Sequence, residues 1–180
     1  ITPWLSSSAY ALATVFRFTR SSSASGRIDA WAQGLDLIKW RPVLGIGYGS
    51  FIEYHHLTAH NSVILCASEL GLAGLYTWLL LIVSAFEEML TVQSTDREGR
   101  FAIYAEAMQL SLIGFFVAAF FLSRTYNAVL FILVALAALL SFFARREYGF
   151  GMPILAQPML VRTLIFATGL IVLVKVFVML

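Results

Sequence analysis

Long apolar runs alternate with short polar interruptions along this chain, and the positions of the interruptions predict its elements. From Asn61 the residues are apolar to about Phe86, after which EEMLTVQSTDREGR (87–100) reads as a charged loop. Further apolar runs follow at roughly 102–122, 127–144 and 162–180, separated by the tight turn SRTYN and by a Gly/Pro-containing connector over 147–161. A bilayer is crossed by about 20 apolar residues. The pattern therefore predicts about four transmembrane helices, roughly 62–86, 102–122, 127–144 and 162–180, with short loops that make neighbours antiparallel.

The region before Asn61 has a different rhythm. Residues 1–16 are apolar but broken by Pro3 and a serine run, and read as the end of a possible preceding transmembrane helix; 17–26 is a polar connector. Over 27–40, Ile28, Trp31, Leu35 and Ile38 recur at three- and four-residue intervals, the stripe of an amphipathic helix. Ser25 is its expected N-cap, and Pro42 disfavours helical geometry at Arg41 and ends it. With Trp31 and Trp40 on it, this helix is expected to lie along the membrane surface. Gly45, Gly47 and Gly49 then alternate in a shaped loop that has neither the Rossmann spacing nor the Lys-Ser/Thr of a P-loop. The expected fold is an all-α polytopic transmembrane helix bundle, with a large loop over 17–61 that contains an amphipathic surface helix.

Composition sharpens this. Hydrophobic residues make up 60% of the 180 and charged ones 12%, with a mean hydropathy of +0.84; soluble domains run near 45–50% and 25%. The net charge of +2 is too small and scattered for a nucleic-acid partner. Cys66 is the single cysteine, so no intrachain disulfide forms. The chain begins at Ile1 and ends at Leu180 inside an apolar run, so it is expected to be the C-terminal part of a longer polytopic protein. Arg97, Arg100, Arg145, Arg146 and Arg162 fall in the loops on one side and only Arg124 in the opposite turn, so the positive-inside rule predicts that the 17–61 loop faces away from the cytoplasm.

Polar residues near the membrane entry carry the candidate chemistry. Arg27, near the start of the surface helix, suits a phosphate or pyrophosphate, because the guanidinium fork matches phosphate oxygens and a helix start favours anions; spacing alone favours a solvated or headgroup arginine instead. His60 can accept a proton or stabilise an anion near neutral pH, or act as an interfacial residue beside Asn61, itself a good N-cap. Glu69 lies two turns into an apolar helix, where a carboxylate needs a partner, so a structural hydrogen bond stands beside a catalytic role. Lys175 snorkels or pairs. His55, His56 and His60 lack the carboxylate or cysteine that would complete a zinc pattern, so no metal is expected.

Three motifs in order, RIDAW (27–31), PVLGIGYGSF (42–51) and AHNSVILCASELGLAGL (59–75), resemble the O-antigen ligase and O-antigen polymerase superfamily, bacterial polytopic glycosyltransferases that include protein O-oligosaccharyltransferases. The resemblance implies transfer of a glycan from undecaprenyl pyrophosphate to an acceptor hydroxyl, on lipid A-core or a similar glycan, lipid or protein, at the periplasmic face of the bacterial inner membrane. It places the family's functional pair on Arg27, which would bind the pyrophosphate, and His60, which would activate the acceptor or stabilise charge. Trp31, Asn61 and Glu69 join Arg27 as substrate-binding candidates, and the family implies no metal and no cofactor. A further basic residue that the family carries in an earlier periplasmic loop has no counterpart motif here. Rival readings are a polymerase or a protein O-oligosaccharyltransferase of the same superfamily, a lipid-linked sugar transporter without chemistry, and a structural membrane subunit.

Overall fold

A computed structural model describes residues 26–96, 99–149 and 157–179, and every regular element among them is helical. Helix α1 (26–40) and a single turn, α2 (Phe51–Tyr54), precede four long helices: α3 (Ser62–Thr95), α4 (Arg100–Phe121), α5 (Ala128–Tyr148) and α6 (Gln157–Met179). All four are long and apolar enough to cross a membrane. The expected helix end in 1–16, the connector over 17–25 and the Ser25 cap lie outside the described residues.

Helix α3 packs along α4, α5 and α6. The surrounding helices turn narrow stripes toward it: Ala105, Leu112 and Ala119 on α4; Leu130, Ala137 and Ala144 on α5; Thr163, Ala167, Leu170 and Val174 on α6. The recurrent alanines let backbones approach closely, as membrane helix contacts require. Outer faces carry exposed Ile103, Leu110, Ile132, Leu136, Leu164 and Ile165, apolar surface that suits lipid rather than water.

The charged stretch expected to be a loop is helical as far as Thr95. Its carboxylates pair with arginines far along the chain. Glu87 meets Arg162 at 3.1 Å, and Glu88 meets Arg145 and Ser141; a third pair joins Arg100 to Glu147 at 3.1 Å. Met89 and Val92, between the charges, are fully buried. Local composition reads as a loop, but packing and paired charge extend the helix instead. These pairs define one end of the bundle, and Arg124 lies in the turn at the other.

At Gly71 (φ 71, ψ −175) helix α3 breaks. A regular helix would bond the Leu72 and Ala73 N–H groups to the carbonyls of Ser68 and Glu69. Here the Leu72 N–H donates to Pro42 O (2.8 Å) and the Ala73 N–H to Val43 O (3.3 Å), while the released carbonyls accept from Ile46 N–H (3.0 Å) and Gly47 N–H (2.9 Å). The loop after α1 is thus laid into the break, and all four backbone groups keep a partner. The approach is so close that a Cβ on Gly71 would stand 2.1 Å from Val43 O, and one on Gly45 2.4 Å from the Glu69 backbone. The break also bends the helix. Thr125 donates its hydroxyl to Ser62 O and accepts the Trp78 indole N–H on its carbonyl, both at 3.0 Å, although Ser62 and Trp78 would be about 24 Å apart on a straight helix.

Gly71→Ala should therefore destabilise the protein by about 3 kcal/mol or more, combining a left-handed residue with an overpacked contact. Gly49→Ala shares the positive φ but meets nothing within 4 Å, and should lose only about 1 kcal/mol. Thermal unfolding of the detergent-solubilised variants checks the ranking.

Candidate active site

Helix α1 buries Ala30, Trp31, Gly34, Leu37 and Ile38, so this face turns to the bundle, while Ile28 of the expected stripe stays 42% exposed. Gly34 makes this possible: a Cβ there would fall 2.2 Å from Ile64 Cγ2. Trp31, expected as an interfacial anchor, is instead 6% exposed and packs edge-on to Phe120 and Phe177. Its indole N–H donates to the carbonyl of fully buried Ala59 at 2.8 Å. Trp40 stays outside, 57% exposed with the Arg41 guanidinium over its ring.

That bond ties α1, one turn after Arg27, to the residue before His60. Arg27 is exposed and lies one turn before Trp31 on the same face of α1. His60 follows Ala59 directly. Gly26 abuts Leu57, with a would-be Cβ 3.3 Å from its Cδ1, so the start of α1 runs beside the segment that leads to His60.

His60 has φ 46, a left-handed conformation that a non-glycine residue adopts at a cost of about 1–3 kcal/mol. The surroundings enforce it. On one side the Ala59 carbonyl is held by Trp31. On the other, Asn61 caps α3 by accepting from the Val63 and Ile64 N–H groups at 2.9 and 3.1 Å. The His60 N–H itself donates to Ser123 Oγ at 3.1 Å. Asn61 is fully buried, and its Nδ2 has no hydrogen-bond partner.

The 122–127 turn wraps this corner. Ser62 Oγ donates to Leu122 O and accepts from the Arg124 N–H, both at 2.7 Å. Arg124, whose side chain is exposed, is thereby tied through its backbone N–H to Ser62, two residues after His60. In the sequence it figured only as a charge in an outer turn; nothing there signals the contact between residues some sixty positions apart.

Glu69 is 3% exposed. Its Oε1 accepts from the Phe51 N–H at 3.2 Å and its Oε2 from the Tyr126 hydroxyl at 2.7 Å. Burial, and the hydrogen bond to Glu69, push the Tyr126 phenol well above its ordinary pKa, so it stays a donor. Tyr48 packs edge-on to Tyr126 at 4.6 Å. Glu69 thus ties α2, the glycine loop and the 122–127 turn to α3.

Of the residues expected at the site, Arg27 and His60 have exposed or half-exposed surface, whereas Trp31, Asn61 and Glu69 are buried and hold backbone or side-chain partners. Their polar atoms tie α1, α3 and the connecting segments together, apart from Asn61 Nδ2, which is buried without a partner. His55 and His56 stack at 4.6 Å, and among the described residues no three His, Cys, Asp or Glu side chains gather as a metal site.

Trp31→Phe keeps the ring packing but orphans the buried Ala59 carbonyl, and should lower stability by about 1–3 kcal/mol. His60→Gly should melt no lower than the parent protein, because it relieves the left-handed strain, whereas His60→Ala keeps a Cβ and gains nothing. Thermal melts of the three purified variants test both statements.

Residues 1–79 match the family model described as O-antigen ligase. Neither the curated proteins nor the solved structures contain a match to the chain. The matched stretch holds Arg27, the glycine loop, His60, Asn61, Glu69 and the break at Gly71. Over residues 1–79 the chain is thus similar to the O-antigen ligase family, and the described residues include four helices long and apolar enough to cross a membrane.

Proposed function

We propose that the protein is a membrane glycosyltransferase of O-antigen ligase type. It moves a glycan from undecaprenyl pyrophosphate to an acceptor hydroxyl, of lipid A-core or a similar molecule, at the periplasmic face of the inner membrane. The observation that carries this reading is the Trp31–Ala59 hydrogen bond, which draws the Arg27 face of α1 to the residue before His60. In transfer, the acceptor oxygen bonds to the anomeric carbon as the bond to the pyrophosphate oxygen breaks. His60 takes the proton the acceptor loses, and Arg27 neutralises the charge gathering on the leaving pyrophosphate. Exposed Arg124 adds positive charge on the same side. Pyrophosphate leaves readily, so holding the reactants in place and stabilising charge supply the acceleration.

A transporter of lipid-linked sugars is the reading that a broken membrane helix with a carboxylate beside it favours. Here the break is filled by the 42–47 backbone, and Glu69 is occupied by Phe51 and Tyr126. Among the described residues the backbone and carboxylate groups at the break are thus occupied from within the protein, which supports transfer over transport.

The test uses the full-length gene in cells that build a lipid-linked glycan, with His60→Ala and Arg27→Ala made separately. Each should reduce transfer by roughly two to four powers of ten while lipid-linked donor accumulates and membrane abundance stays normal. Normal transfer by both variants would remove Arg27 and His60 from the reaction.

A further inference from the structure

Helices α3, α4 and α6 enclose a cavity of about 430 Å³ that opens on the outside of the bundle. Buried Ile82 and Leu112 lie at its base, and exposed Leu90, Ile113 and Val117 stand at its rim. Phe116 and Phe166 close part of the wall, with their rings 5.4 Å apart. The lining is apolar apart from two residues, Glu87 and Arg162. A cavity of this size is large enough for a ligand. Apolar walls give water and polar solutes almost no partners, whereas a hydrocarbon chain needs none. The apolar part of the cavity therefore suits the acyl chain of a lipid.

The two charged residues select its head. They meet through one pair of atoms, Arg162 Nη1 and Glu87 Oε1 at 3.1 Å, with side chains 70% and 30% exposed. Among the described residues no further hydrogen bond or ion pair engages either charged group. Arg162 thus keeps its Nε and Nη2 donors, and Glu87 keeps Oε2 as an acceptor. A guanidinium suits phosphate oxygens, and a primary ammonium brings three N–H donors to a carboxylate. A head with a phosphate alone would meet Glu87 as a like charge. One that carries both a phosphate and a primary ammonium meets each residue with the opposite sign and leaves the Glu87–Arg162 contact in place. A choline head matches the charges but has no N–H to donate.

We infer that this cavity binds a phospholipid with an ethanolamine head. One acyl chain fills the space between α3, α4 and α6, the phosphate lies on Arg162 and the ammonium on Glu87. The site uses neither Arg27 nor His60, so the inference stands whether or not those residues catalyse transfer.

Native mass spectrometry tests it on the full-length protein purified in detergent. The protein is incubated with phosphatidylethanolamine, phosphatidylcholine or phosphatidylglycerol of identical acyl chains, and the lipid that stays bound is counted. The parent protein should retain phosphatidylethanolamine several-fold over the other two. Glu87→Gln removes both the ammonium's partner and the like charge, and should bind phosphatidylglycerol at least as well as phosphatidylethanolamine. Ile113→Trp, at the rim, fills the cavity and should lower retention of all three lipids. Equal retention of the three by the parent protein, or a preference for phosphatidylglycerol, would overturn the proposal. So would an unchanged lipid preference in Glu87→Gln. Full phosphatidylethanolamine binding by Ile113→Trp would place the lipid elsewhere and overturn it equally. Melts matching the parent protein verify that both variants fold.

Discussion

Backbone N–H and C=O groups inside a bilayer have no water to turn to, and α3 opens four of them at Gly71. The structure depends on how they are closed. The 42–47 loop supplies two acceptors and two donors at the right spacing, so the helix can break and bend without losing a hydrogen bond. Glycine is required on both sides of the contact, because a Cβ at Gly45 or Gly71 would fall inside the facing backbone. One constraint thereby joins the extramembranous loop to the membrane bundle.

The bend has consequences for the site. It brings Ser62 and Trp78 onto the same threonine of the 122–127 turn and points Glu69 at Tyr126. The turn then closes over His60 and Ser62. His60 is held in a left-handed conformation between Trp31's bond to Ala59 and the Asn61 cap. A strained residue persists only where its surroundings over-determine it, and such residues concentrate at functional sites. The glycosyltransferase reading gains its physical support here.

Several features were legible along the chain because they answer to local rules. Spanning helices need long apolar runs, and the stripe on 27–40 needs only helical periodicity. Arg27 and His60 stood out through ordered motifs and the nearby membrane entry. Other features were not legible because distant partners decide them. Glu87 and Glu88 read as loop residues until Arg162 and Arg145, 75 and 57 positions away, neutralise them. Trp31 has the sequence context of an interfacial anchor, yet the Gly34–Ile64 contact sinks α1 into the bundle and buries the ring. The run around Gly71 reads as uninterrupted span, because nothing local says that another segment will compete for its hydrogen bonds.

By itself, then, the sequence determined that this is a helical membrane protein with a polar, glycine-bearing segment before its first long span, since hydropathy and periodicity are properties of adjacent residues. It also set which residues are able to hold phosphate or move a proton. Only the tertiary structure decided which of them stay accessible, where α3 breaks, and that the 122–127 turn closes on His60 and Ser62 through Ser123 and Arg124. Those outcomes depend on hydrogen bonds and packing between segments far apart in the chain, and no local pattern encodes which distant group will arrive.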